Sequence, residues 1–149
     1  MSSPRRSSRS WRPSPRGPVA DASQVGLVID EVEFPVEEGK VREFAVAVGD
    51  EDHRSVPLTF ATVAGHWRDQ AAMVERLGLD IRRIVVGGSE WSYRAPVAVG
   101  DRLRGQRVVT SVEVKKGGAM TLITLETRLH RSDGALAVVQ LDTVIELAG

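Results

Sequence analysis

The chain has 149 residues, 42% hydrophobic and 27% charged, which suits one domain with its own core and is too short for two. It contains no cysteine, which excludes disulfide frameworks, thiolate zinc sites and cysteine nucleophiles, and no apolar run long enough to cross a bilayer. The formal net charge of zero hides an asymmetry. Residues 1–18 carry five Arg and no acid, leaving 15 basic and 20 acidic side chains in residues 19–149, a balance that argues against nucleic-acid binding.

The opening segment MSSPRRSSRSWRPSPRGP is rich in Ser, Pro and Arg and has little to bury. Disorder is expected over residues 1–24, with the folded domain taken as 25–149. The segment lacks the apolar stretch of a secretory signal, so a cytoplasmic location is expected. Three readings of it stand: a tail touching RNA or membrane, a transit-like peptide, or the product of an over-long reading frame. Arg outnumbers Lys 17 to 3, a bias of GC-rich coding in which Val19 can be a GTG start. An intact mass of the natural protein that includes residues 1–18 would exclude the third reading.

From Gly26 to Val32 the chain reads as a short extended segment, followed by a loop around Glu37–Lys40. Val41–Val48 fits a strand or a helix equally by period. Asp50–Val56 is a polar loop. One long helix is predicted over Leu58–Leu77, with Pro57 at its start and Gly78 as a left-handed cap. Its apolar stripe is Phe60, Val63, Ala64, Trp67, Ala71, Val74 and Leu77, and Arg68, Asp69, Glu75 and Arg76 lie opposite. Strands follow: Ile84–Tyr93, Arg102–Val114 and Met120–Leu129. In the last, Ile123, Leu125, Thr127 and Leu129 alternate with Thr124, Glu126 and Arg128. Asp133-Gly134 predicts a tight hairpin into a strand over Ala135–Leu147. One helix and a meander of antiparallel strands make an α+β pattern with the helix on one sheet face.

Two blocks carry a resemblance. VREFAVAVGDEDHRSVPLTFATVAGHW (Val41–Trp67) resembles a stretch in which a Gly-Asp segment leads to a Pro-x-Thr-Phe helix start. VVGGSEWSYRAPVAVGDRL (Val85–Leu103) resembles a strand that in relatives carries His-Gly-Glu-Gln, then an aromatic, Arg-Pro and Gly-Asp; here Gly87-Gly88-Ser89-Glu90 stands in place of the first four. With the last strands, the likeness spans Gly26–Leu147. The chain thus resembles the N-terminal domain of MaoC-type acyl-thioester dehydratases. The resemblance implies the hot-dog fold, a curved antiparallel sheet wrapped around one central helix.

Hydration of an enoyl thioester needs an acid or base, for which a His beside an Asp serves near neutral pH. It also needs donors that polarise the thioester carbonyl, and an apolar tunnel for the acyl chain. The family's motif is Gly-Asp-x-Asn-Pro-x-His. Here Gly49-Asp50 matches, but His53 follows Asp50 by three residues, Asn-Pro is absent, and the loop before Pro57 is shorter. Asp50 and His53 are therefore the candidate catalytic pair of a site expected to be inactive, His53 as a solvated loop residue and Asp50 as a backbone hydrogen-bonding one.

The implied substrate-binding residues are Phe60, Val63 and Trp67 on the helix, Gly87 and Gly88, and Arg94. The glycines let backbone approach a ligand, or else form a strand bulge. Arg94 faces a phosphate or a partner, or makes a surface salt bridge. His66 reads as packed or exposed, and His130 as solvent-facing. Trp91 and Tyr93 share one strand face and read as core or dimer interface. Arg102, Arg104 and Arg107 attract CoA phosphates or line the outward side of a strand, the second reading being preferred. No His pair has metal-ligand spacing, and no cofactor is implied.

The resemblance implies a subunit of a (3R)-hydroxyacyl-thioester dehydratase or enoyl-CoA hydratase. It would act on acyl-CoA or an acyl-carrier-protein thioester, as the non-catalytic partner of a MaoC-type hot-dog subunit. The alternatives are a self-sufficient homodimeric hydratase or thioesterase, and a non-enzymatic acyl-CoA-binding protein.

Overall fold

The computed structural model describes residues 20–149. Five strands, β1 (Val28–Pro35), β2 (Ile84–Tyr93), β3 (Arg102–Lys115), β4 (Met120–His130) and β5 (Leu136–Leu147), form one sheet in the order β1-β3-β4-β5-β2. Every neighbouring pair is antiparallel, and each of the four pairings contains a register shift. Such irregularities bend strands and raise their twist, which curves the sheet. The strands β1 and β2 are its free edges.

The alternation predicted for β4 is present: Ile123, Leu125, Thr127 and Leu129 are buried, while Arg128 is exposed. The helical elements cover that inner face. Helix α1 spans Glu38–Val48 and resolves the ambiguous stretch Val41–Val48 as helix. Its buried residues, Val41 and Ala45, are one helical turn apart, and Gly49 ends it in the left-handed conformation.

The single helix expected over Leu58–Leu77 is two elements. Phe60–Trp67 is a 3₁₀ segment, and α2 spans Gln70–Leu77. Arg68 and Asp69 between them are extended, and the Asp69 side chain accepts a hydrogen bond from the Ala72 N–H, capping α2. An aspartate so placed favours a new helix start over continuation of the old one. The break also resets the phase of the buried stripe. Before it Phe60, Val63 and Ala64 are buried as expected; after it Met73 and Leu77 are buried, and Ala71 is exposed.

Gly78 takes the predicted left-handed cap position at φ 67°. Gly78→Ala is expected to lower stability by about 1–2 kcal/mol, read as a shift of the thermal midpoint. No shift would mean that α2 does not end in this cap.

Residues 20–24, grouped with the tail from sequence, are among the described residues. Ala20 is buried, and Ala22–Gln24 form a 3₁₀ turn with Asp21 and Gln24 in a capping box. The expected disorder of residues 1–19 lies outside the described residues.

The core has two buried clusters. One joins Phe34, Val41, Phe60 and Val63 to Leu103, Leu129 and Val138. The other joins Ile29, Met73 and Leu77 to Val109, Ile123, Leu125 and Val144.

Candidate functional site

No hydrogen bond joins Asp50 to His53. Asp50 directly follows the cap of α1; its N–H donates to the Ala45 carbonyl at 2.9 Å, and its Oδ1 accepts from the Asp52 N–H at 2.9 Å. His53 is exposed in the following loop, with no hydrogen-bond partner among the described residues. The loop is organised by Asp52, whose Oδ1 accepts from the N–H groups of Arg54 and Ser55. These bonds, led by one with the Ser55 side chain, lower the Asp52 pKa.

The start of the 3₁₀ segment is fastened to β2 by the Tyr93 hydroxyl, which donates to the Leu58 carbonyl. Burial raises the Tyr93 pKa, so the phenol stays protonated and a donor. Trp91 and Tyr93 share a face, both half-buried against the first cluster.

The expected binding residues divide by burial. Phe60 and Val63 are in the core, and Phe60 meets Phe44 edge-on with ring centroids 5.6 Å apart. Trp67 is 41% exposed and stacks on Phe34 at 5.5 Å. Exposed His66 lies edge-on to Trp67. Gly87 is the extra residue of a β2 bulge, where a Cβ would come within 2.8 Å of Ile145 Cδ1. Over Gly88 there is open space. Arg94 is exposed at the end of β2; its backbone N–H donates to the Ala137 carbonyl, and among the described residues its side chain forms no ion pair.

The outer face of β1, β3 and β4 carries a trough of about 640 Å³ lined by Arg102, Arg104, Glu31, Glu33, Arg128 and His130, among others. Arg102 pairs with Glu33 and Arg104 with Glu31, so its charge is largely neutralised. Arg107 corrects the outward-facing reading of the Arg run. It is 2% exposed and faces inward, because it lies three positions, an odd step, beyond Arg104 and side chains alternate along a strand.

Arg107 belongs to a buried polar group that the sequence reading missed. Its guanidinium holds the Asp30 carboxylate through two N–H groups, Nε at 3.1 Å, and donates from Nη1 to Gln70 Oε1 at 3.0 Å. Arg68 descends from the break before α2. Its Nη2 donates to Thr127 Oγ1 at 3.0 Å, and its Nη1 lies 3.8 Å from Asp142 Oδ2. Burial, then the charge of Arg107, lower the Arg68 pKa, opposed by Asp30 and Asp142. Asp142 also accepts from the Ser89 hydroxyl and, at 3.0 Å, from Gln140 Nε2. Two guanidinium groups thus face two carboxylates inside the fold. One signal was present in the sequence: Gln140 and Asp142 interrupt the apolar run ALAVVQLDTVIEL.

Among the described residues, no group of three or more His, Asp or Glu side chains is arranged to hold a metal. No helix among the described residues is long and apolar enough to cross a membrane.

Comparison with known proteins agrees with this geometry. A family model described as the FAS1-like dehydratase domain region matches residues 23–140. A UPF0336 protein of Streptomyces griseus is 30% identical over 131 residues, covering 77% of this chain and 86% of its own. One from Clavibacter michiganensis is 33% identical, covering 71% and 80%. Among solved structures, a chain of the HadBC (3R-hydroxyacyl-ACP dehydratase) complex from Mycobacterium tuberculosis superposes with a TM-score of 0.62 at 22% identity, covering 83% of this chain and 98% of that one. The (R)-hydratase from A. caviae, involved in PHA biosynthesis, gives 0.55 at 24% identity, covering 87% and 100%. These likenesses show the same fold. The chain therefore belongs to the FAS1-like dehydratase domain family and has the MaoC-like hot-dog fold.

Proposed function

We propose that this chain is the non-catalytic, substrate-binding subunit of a (3R)-hydroxyacyl-thioester dehydratase or enoyl-CoA hydratase in the cytoplasm. It pairs with a MaoC-type subunit that carries the intact Gly-Asp-x-Asn-Pro-x-His motif. The observation that carries the reading is that no hydrogen bond joins Asp50 to His53. A base for the α-proton needs a titratable group oriented toward substrate, and among the described residues His53 has no hydrogen-bond partner in its exposed loop.

Association fits the β2 edge. Ile81, Val85 and Val86 are exposed there at 67%, 45% and 78%, and an unpaired strand edge with apolar side chains is a template for another strand. The likeness to a chain of the HadBC complex supports a partnered role. In this reading the acyl chain enters beside Trp67, with Phe60 and Val63 behind it. The thioester arm of CoA or a carrier protein passes over Gly88, and Arg94 receives a phosphate, which an unpaired guanidinium binds well.

The test is assembly. Sedimentation of the chain with a MaoC-type subunit from the same genome should show a complex. Val86→Asp should weaken it about tenfold or more, because a charge on the edge opposes pairing. The side chain is 78% exposed, so the fold should be unaffected. Failure of the two chains to associate would remove the proposal's basis.

A further inference from the structure

The two free edges of the sheet differ in how their charges are matched. On β1, Glu31 and Glu33 pair with Arg104 and Arg102 of the same chain, and Pro35 ends the strand. Proline and matched charges blunt an edge. On β2, Glu90 and Arg94 are both exposed, and among the described residues neither forms an ion pair. They cannot reach each other, because four strand steps hold them about 13 Å apart. One acid and one base thus stand unmatched on an open edge.

The Arg94 N–H donates to the Ala137 carbonyl at 2.8 Å, which carries the β2–β5 ladder one residue past Tyr93. Backbone groups alternate along a strand, so those of Ser89, Trp91 and Tyr93 point to the free edge. Side chains alternate too: Glu90, Ser92 and Arg94 share the outer face, while Trp91 and Tyr93 pack inward against the first cluster.

A second β2 laid antiparallel on this edge, with Ser92 opposite Ser92, meets these groups in turn. Trp91 of each copy exchanges both backbone hydrogen bonds with Tyr93 of the other, and their rings form a cross-strand aromatic pair. Glu90 of each copy falls opposite Arg94 of the other, in the closer, non-hydrogen-bonded type of pair. The two-fold axis makes each match occur twice. Neighbouring registers lose this. Centring on Glu90 sets two carboxylates face to face, and centring on Trp91 puts Ser92 opposite Glu90 and Gly88 opposite Arg94.

We infer that the β2 edge recognises a second copy of this chain in the Ser92-centred register, and that Glu90 and Arg94 fix that register. Self-pairing requires no catalytic subunit. Where such a subunit uses the same edge, the two assemblies exclude each other, and the self-pair also sets a carboxylate against the Arg94 guanidinium.

Sedimentation equilibrium of the full-length chain alone should show a monomer–dimer equilibrium. Glu90→Arg and Arg94→Glu each place like charges opposite one another at two points, and each should raise the dimer dissociation constant about tenfold or more. Mixing the two single variants in equal amounts should restore the dimer, because each variant's like charges then face the opposite sign. The double variant Glu90→Arg/Arg94→Glu should dimerise as the parent does, which shows that the substituted positions still fold and pair. A parent chain that stays monomeric, or a dimer indifferent to both single variants, would overturn the inference. So would single variants that remain monomeric when mixed.

Discussion

Replacing Arg107 by leucine is expected to lower unfolding free energy by about 3–5 kcal/mol. The side chain is 2% exposed and holds Asp30 through two N–H groups, with a third bond to Gln70. Leucine would fill much of the volume but leave the Asp30 carboxylate, itself 17% exposed, without its counter-charge. That loss is a large part of the 5–15 kcal/mol that holds a typical domain folded. A second substitution, Asp30→Leu, should recover most of it, because a buried pair replaced whole by apolar residues is often neutral. Guanidinium unfolding of both variants gives the comparison. A cost below about 1 kcal/mol for Arg107→Leu would mean that the pair is solvated, as surface ion pairs are.

Gly105→Ala should be nearly as damaging, for a different reason. Gly105 sits opposite Leu129 in the β3–β4 ladder, and a Cβ there would lie 2.9 Å from the Arg128 carbonyl carbon and closer still to its oxygen. The obstacle is backbone inside a ladder, so no rotamer change relieves it. The fully buried Leu129 side chain, 3.1 Å from the same Cβ, blocks movement the other way. A cost of about 3 kcal/mol or more is expected, or loss of soluble protein. Gly88→Ala is the control: nothing lies within 4 Å of its Cβ, and its effect should stay within about 0.5 kcal/mol. Equal effects at the two glycines would contradict the strand register.

The sheet was legible in the sequence because its signals are local. Alternation in β4 and the Asp133-Gly134 turn follow from side-chain period and turn chemistry. Family resemblance added the fold name. The long helix was misread because its composition supports helix throughout, whereas its break answers to tertiary partners: Arg68 leaves the helical path to reach Thr127 and Asp142 across the core. Asp69 carries a local sign of that break, as a helix-starting residue in mid-pattern.

The candidate site was legible mainly as a defect. The spacing of Asp50 and His53 departs from the family's motif, and in the structure no hydrogen bond joins the two. The buried polar group was not legible as a unit. Its members come from β1, the helix break, β2, β3, β4 and β5, and only strand register brings Asp30, Arg107, Thr127 and Gln140 into line. Strand parity alone would have turned Arg107 inward.

The central claim is that chemistry resides in a partner while this chain binds substrate. Crotonyl-CoA hydration, followed by loss of the enoyl-thioester absorbance, tests it most directly. The purified chain should show no turnover above buffer, alone or as His53→Ala or His66→Ala. Mixing with a MaoC-type subunit bearing the intact motif should raise activity well above that of either subunit alone, and Val86→Asp should reduce the gain. Turnover by the isolated chain that disappears in His53→Ala would contradict the account and place the active site in this subunit.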